Sequence, residues 1–507
     1  MLEFGMSAGL LLALMGPPLT SPDSVPEWAR PGRVRSARWD GGPIEAEKGR
    51  LSGWPNFTQA DERGVLAATR DWYNPRTIEF LKTAHINWAW LTWSVGFSAQ
   101  TEKLQWEQAR RYIEECHRNG IRVAAYLSIA NMFWKDMFDN VPGSRDWVEM
   151  LGDGSPRFYS RPHRYMARIT NPAWVDYVRM RVRAALDAGA DSFWIDNTFS
   201  YHGEENVRRL LQTVYQEAEA RGRQIVLMSN YNRTIFGWAR MQNGVTTEDG
   251  QEPGWYPEDP EPKRLVTNAG LLRYHYGISE GWRPVSVEYG GRHRGERFTT
   301  PMDPGKWQLS LAECAAFQAS LEPFFEGLFL RDLYFGEAPA MEKLRAIGKY
   351  NAFFEKNQQY YENVEPAARI AVLGGDDRAV PALNALAARN VQFDVIFSAD
   401  QGKRYAKVIS PGETPGEFKQ NDPLTVDAPA TVLYNVVRQQ SPRRLLLHLL
   451  NYSQQPLAGI RVAVREPVAS VRLLSPDLAG VRDLAHKAGR FVVPELRTYD
   501  LVSIALK

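Results

Sequence analysis

Ser192-Phe-Trp-Ile-Asp-Asn-Thr198 is the stretch on which the fold turns. Phe193, Trp194 and Ile195 are apolar at successive positions, so both faces of the segment suit burial, the mark of a strand in a parallel sheet covered on both sides. An acid, Asp196, follows at once. In an α/β barrel the carboxyl ends of the strands carry the reactive groups. Burying an unused acid there costs free energy, which favours a functional reading. The bland alternative is an aspartate that caps the next helix.

Reading outward, short apolar runs alternate with longer amphipathic stretches, the signature of repeated βα units. Toward the amino end the expected strands are 65–71, 87–93 and 122–129. A helix at 75–84 has Asn74 as N-cap and Pro75 at its first position. A second helix at 101–119 is stopped by Gly120. An insertion at 130–169 is expected to roof the site, and Asn171-Pro172 opens the next helix. Toward the carboxyl end come a helix at 204–221 and strands at 224–230, 244–250, 283–288 and 327–330. The final helix runs over 338–358. The expected architecture is a (β/α)8 TIM barrel over 64–363, after an extension at 23–63. A small α/β segment over 364–421 and an antiparallel β-sandwich over 422–507 follow. An open doubly wound sheet normally carries a Gly-rich phosphate turn, and none follows any of these strands.

A chain of 507 residues is too long for one core. Hydrophobic residues make up 44% and charged residues 24%, an ordinary globular composition. With 61 Lys and Arg against 59 Asp and Glu, no field favours nucleic acid as a partner. The 16 Trp and 21 Tyr offer flat rings that stack on sugars, although such rings are first of all core material. Two cysteines, Cys116 and Cys314, exclude a disulfide framework but leave room for one bridge. The apolar segment 6–16, within a signal-type region 1–22, is too short to span a membrane and points to a secreted or periplasmic protein, despite lacking the usual positive start. Asn56, Asn232 and Asn451 begin glycosylation patterns.

The chemistry is sought in acids that end apolar runs. Glycosidic cleavage uses two carboxyl groups, about 5 Å apart for retention and roughly 6.5–9.5 Å apart for inversion. Asp196 on the fourth strand and Glu248 or Asp249 on the sixth could meet that requirement. Glu248, with the longer reach, is taken as acid/base and Asp196 as nucleophile, with retention expected. Glu288, ending the seventh strand, is read as a substrate contact, with the acid/base role left open among these three. Asp71, Trp72, Trp93, Asn131, Trp134, Asn197 and Asn230 are further candidates to bond hydroxyls or stack on a sugar ring. His163 and His202 fall on the expected roof. No metal-ligand spacing and no phosphate-binding or esterase motif is visible, so no cofactor is expected.

Asp71-Trp-Tyr-Asn-Pro-Arg76, Gly120-Ile-Arg-Val-Ala-Ala-Tyr126, Asn171-Pro-Ala-Trp174 and Phe193-Trp-Ile-Asp-Asn197 together resemble glycosyl hydrolase barrels related to α-L-fucosidases and α-galactosidases. The resemblance implies a nucleophile at Asp196 and, in the α-galactosidase group, an acid/base after strand six. The shortened α/β segment after the barrel is similar to the trimerisation-type domain of some β-galactosidases, and His448-Leu-Leu-Asn-Tyr452, Leu474-Ser-Pro-Asp477 and Phe491-Val-Val-Pro494 are similar to the C-terminal sandwich of the same enzymes, a tail resemblance that implies self-association. The expected substrate is an oligosaccharide or glycoside. Transglycosylation by the same acids, or sugar binding on a barrel without catalysis, are the alternatives.

Overall fold

The computed structural model describes residues 18–39, 75–128, 131–159, 164–196, 198, 202–229, 239–260, 264–290, 303–323, 325, 327–375, 379–397, 401–410 and 422–507. Its amino-terminal body is α/β. The parallel strands are β1 (Ser36–Trp39), β2 (Trp88–Ser94), β3 (Arg122–Ser128), β4 (Ser192–Asp196), β5 (Val226–Ser229), β6 (Val245–Gly250), β7 (Val285–Tyr289) and β8 (Ala319–Leu321). β1 to β5 form one sheet in that order, and β6 to β8 form a second. The sheet curls, and backbone hydrogen bonds join its two parts at both edges. The Arg38 N–H donates to the Pro323 carbonyl (3.0 Å), the Phe325 N–H donates to the Arg38 carbonyl (2.9 Å), and the Gly244 N–H donates to the Leu227 carbonyl (3.2 Å).

Parity along the strands sorts their side chains into two cores. Trp88, Trp90, Ala124, Tyr126, Trp194, Val226 and Met228 cluster on the concave side. Ala89, Leu91, Trp93, Phe193 and Ile195 face the helices in the larger core. Every residue of β2 is buried, which is why it reads as a nearly unbroken apolar run. The helical layer contains α1 (Pro75–Thr83), α2 (Ala99–Arg118), α3 (Pro172–Asp187), α4 (Glu204–Glu219), α5 (Ala269–Ser279), α6 (Pro304–Ala316), α7 (Gly327–Phe335) and α8 (Ala338–Lys356). The Asn171 side chain caps α3 by accepting from the Ala173 N–H, with Pro172 at the first position as expected.

Two strands differ from expectation. The stretch 65–71 lies outside the described residues, and the partner of β2 is Ser36–Trp39, inside the expected extension. The expected strand at 327–330 is instead the first turn of α7, and Ala319–Leu321 pairs with β7. A four-residue apolar run fits either period, and the sequence through Phe335 continues it as helix.

Between β3 and α3 the insertion folds as a strand pair, Asn131–Trp134 against Arg164–Met166. Beyond α8 a three-stranded parallel sheet (Ile370–Leu373, Phe393–Ile396, Lys407–Ile409) flanks helix Val380–Ala388. A six-stranded and a three-stranded antiparallel sheet then enclose a second core, with Val436, Leu447 and Ile504 facing Ile460, Val462 and Phe491. Polar groups fasten these parts to the helices. Glu313 on α6 accepts from Tyr452 of the six-stranded sheet's neighbouring loop (2.5 Å) and from Thr267 (2.7 Å), Tyr289 (2.7 Å), the Asn268 N–H (2.9 Å) and the Asn268 amide (2.9 Å). Arg273 on α5 bonds the Phe393 carbonyl and the Asn435 side chain.

Cys116 and Cys314 are both free and buried, on α2 and α6, so no bridge joins them. Asn451 is fully buried and donates to the Gln455 and Arg497 carbonyls, which removes it as a glycosylation acceptor. Among the described residues no helix is long and apolar enough to cross a membrane.

Candidate active site

Small hydroxyl residues occupy the amino end of the curled sheet. Ser36 bonds Ser286 (2.9 Å) and Ser320 (2.8 Å), and the Trp88 indole donates to Ser192 (2.8 Å). Val25 and Ala29, from the segment before β1, pack into the same cluster. Each polar group here has a partner of its own kind, as a structural layer requires.

The next positions along the strands are very different. Trp90, Tyr126 and Trp194 stack face to face, with centroids 4.8 Å apart for the two Trp rings and 5.4 and 5.5 Å apart for the pairs with Tyr126. Strands β1, β6 and β7 and the residue after β8 bring in Arg38, Glu248, Glu288 and Glu322. The Arg38 guanidinium sits 4.3 Å above the Trp90 ring, so the aromatic wall is also the seat of the cation. Its Nη1 lies 2.8 Å from Glu288 and 3.9 Å from Glu248.

Glu322 is buried and accepts a hydrogen bond from Ser286 (2.5 Å). Burial pushes its acid up to about 7. Ser286, the positive Arg38 and the facing Trp90 indole hold it down, while Glu248 pushes it further up. Near neutral pH this carboxyl is therefore partly protonated, inside a group that also holds ion-paired Glu288.

Asp196 ends β4 in register with Ser128 of β3, and the Tyr126 hydroxyl donates to its Oδ2. The ring that carries this hydroxyl belongs to the aromatic stack. A continuous set of contacts thus runs from Asp196 through Tyr126 and Trp90 to Arg38 and on to Glu288 and Glu248. One side of the site is flat and apolar, and the other is acidic. The acids can exchange protons with a bound group, whereas the stacked rings are buried and serve to seat Arg38.

Of the residues expected from sequence, Glu248 and Glu288 both approach Arg38, and Asp196 is linked to that group through Tyr126 and Trp90. Asp249 is exposed, because strand parity turns it away from Glu248. Trp93 faces the helices, stacked on Trp106 at 5.3 Å, and does not join the site. Asn131 and Trp134 bound the first strand of the insertion. Asp71, Trp72, Asn197, Asn230 and His163 lie outside the described residues. His202 is buried 3.8 Å from Glu149 of the insertion, and burial drops its imidazole to about 4, so it is neutral at ordinary pH. Sequence reading missed Arg38 and Glu322. The signal available was an arginine two residues from the start of a short polar strand, and a glutamate squeezed between Leu321 and Pro323.

No family model and no curated protein matches the sequence. The shape of the chain does find relatives, in the α/β-plus-sandwich architecture of carbohydrate-active enzymes. Alpha-L-fucosidase isoenzyme 2 from Paenibacillus thiaminolyticus is similar over 94% of this chain and 100% of its own, at 13% identity and a TM-score of 0.63. Beta-galactosidase from Bacillus circulans sp. alkalophilus matches over 93% of this chain and 99% of its own, at 12% identity and 0.56. A cycloisomaltooligosaccharide glucanotransferase from Paenibacillus sp. matches over 94% and 85%, at 12% and 0.56. At these identities the likeness is one of fold.

Proposed function

We propose that the chain is a glycosidase, with Asp196 as nucleophile and Glu248 as general acid/base. The observation that carries this reading is the gathering of strand-end acids from β6, β7 and β8 around Arg38, linked through the buried aromatic stack to Asp196 at the end of β4. The proposal includes closure of the eight strands into one barrel, which the hydrogen bonds across both sheet edges support. The fold of the fucosidase and β-galactosidase relatives supports the reaction class.

In the first step the Asp196 carboxylate attacks the anomeric carbon while Glu248 gives its proton to the departing glycosidic oxygen. The carbon–oxygen bond breaks and a glycosyl ester forms on Asp196. In the second, Glu248 takes a proton from water, whose oxygen attacks the same carbon and releases the Asp196 carboxylate. Tyr126 orients the nucleophile, and the buried aromatic stack seats the Arg38 guanidinium. A sugar hydroxyl in place of water would give transfer instead, the outcome suggested by the glucanotransferase likeness. The apolar segment 6–16 supports an exported protein.

The test is trapping with 2-deoxy-2-fluoro-glycosyl fluorides across the fuco, galacto and gluco series. The expected result is a glycosyl adduct on the peptide that contains Asp196, together with retained anomeric configuration by proton NMR. An adduct on another residue, or an inverted product, would remove the assignment.

A further inference from the structure

We infer that the amino end of the curled sheet carries a second binding site, a cavity beside Gln318 that takes a single neutral sugar ring. It stands apart from the glycosidase reading, whose acids lie at the carboxyl ends of the strands.

Three strand starts place the cavity. Gln318 immediately precedes β8, Trp282 lies three residues before β7, and Arg33 lies three residues before β1. Tyr276 of α5 and Glu362 and Asn363, beyond α8, line the other sides. The space among them is about 240 Å³. A water molecule takes about 30 Å³ of liquid, so this volume is several times what one bridging water needs. The residue steps along β8 from Gln318 to Glu322 span about 13 Å at the usual strand rise, which keeps the cavity away from the acids.

Gln318 is the residue that the fold alone does not explain. It is 7% exposed, and among the described residues neither its amide nitrogen nor its amide oxygen has a hydrogen-bond partner. Its φ of 65° is left-handed, just after α6 ends. After α2, α3 and α7 the left-handed residue is Gly120, Gly189 or Gly336, the type that takes such a φ without strain. His85, Glu280 and Asn390 take it after other helices, and each has a bonded side chain. His85 meets Glu355 (2.8 Å), Glu280 accepts from Arg283 (2.6 Å), and Asn390 donates to the Val432 carbonyl (2.8 Å). Gln318 costs stability twice, through its backbone and through its unmet amide, and a glycine would remove both costs. A residue that burdens the fold and lines a cavity points to binding. The amide is covered by its neighbours. Since no hydrogen bond holds it, it reaches the cavity by turning about its own torsions.

The lining selects the ligand. An amide presents a donor and an acceptor side by side in one plane, which matches two adjacent hydroxyl groups. Arg33 is already paired with Glu362 (3.0 Å) and Glu27 (2.6 Å). An anion would have to break those pairs, whereas a hydroxyl group accepts from the arginine or donates to the glutamate and leaves them intact. The half-buried rings of Trp282 and Tyr276 add apolar surface of the kind that the C–H face of a sugar packs against.

The probes are alkyl glycosides of glucose, galactose and fucose that carry a photoreactive diazirine. On the full chain, light is expected to attach at least one of them to the peptides containing Trp282, Gln318 or Asn363, with the unmodified sugar competing. Gln318→Gly, which suits the left-handed φ, is expected to weaken this binding about tenfold, as the loss of hydrogen bonds to a ligand does. The same variant is expected to melt at or above the wild-type temperature. A lower melting temperature would assign the amide to the fold and overturn the inference. Labelling confined to the peptides of Asp196, Glu248 and Glu288, or undiminished in Gln318→Gly, also overturns it. Inactivity on every glycoside with the labelling beside Gln318 intact would instead sink the glycosidase reading and leave this site standing.

Discussion

Glu313 and Glu322 are both fully enclosed glutamates, yet their surroundings differ in one respect that matters. Glu313 accepts from three hydroxyl groups, one backbone N–H and one amide, so its lone pairs are met by neutral donors fixed in the fold. Glu322 has the Ser286 hydroxyl and stands among other acids around Arg38. An acid ringed by fixed donors serves as a fastening. A carboxyl group with few donors and a second acid nearby has two states close in free energy, which suits chemistry. The comparison separates a structural acid from a working one without reference to any relative.

The largest effect that could break this contrast is expected at the working end. Asp196→Asn should lower kcat/KM by about four orders of magnitude, as loss of a nucleophile does, with an unchanged melting curve. A variant that keeps its turnover would place the chemistry elsewhere. At the fastening end, Glu313→Ala removes the acceptor of five hydrogen bonds and should cost roughly 3–5 kcal/mol. Chemical unfolding followed by Trp fluorescence measures it. The activity of the folded fraction should be retained, and a loss of activity without loss of stability would erase the distinction.

Glu102 sharpens the contrast from between the two extremes. It accepts from Ser94 (2.7 Å) and from the Val95 and Phe97 N–H groups (3.0 and 3.2 Å), with Arg181 at 3.9 Å. Burial outweighs these and raises its acid from 4.5 to about 7. Because the folded state holds this proton more tightly than the unfolded chain, the stability it brings is complete below about pH 4.5. That stability is lost as pH rises toward 7. The shift corresponds to about 3 kcal/mol. Glu102→Gln should remove that part of the pH dependence, so unfolding free energies of variant and wild type should diverge between pH 5 and pH 7. Parallel curves would mean that the donors, not burial, govern this acid.

The same physical difference explains how much could be read beforehand. Strands β2 to β5 were legible because nearly every position is buried and most are apolar, with Trp88 to Ser94 the extreme case. β1 was not, since its inward positions are Ser36 and Arg38 and nothing in four residues suggests a strand. β8 is three residues long, and the more apolar run at 327–330 drew the assignment to what is a helix. Asp196 was legible because an acid after Trp194-Ile195 is conspicuous. Glu322 was hidden by the misplaced strand. Trp93 illustrates the limit of the strand-end rule: it ends an apolar run, but its parity matches Ala89 and Leu91, which face the helices.

The finest test compares one donor at each end. Tyr126 donates to Asp196, and Tyr289 donates to Glu313 at 2.7 Å. Each Tyr→Phe change deletes one hydroxyl and nothing else, so burial and ring contacts are held constant. A hydrogen bond to a charged group contributes about 1.5 kcal/mol, equal to roughly tenfold in a rate if the bond orients a reacting carboxylate. Tyr126→Phe should therefore lower kcat/KM about tenfold and leave the melting temperature within a degree or two. Tyr289→Phe should do the reverse, lowering stability by about 1 kcal/mol while kcat/KM per folded molecule holds, because Glu313 keeps its other four donors. If both changes fell on stability alone, Tyr126 would be a packing residue and Asp196 a buried acid with no reaction to run.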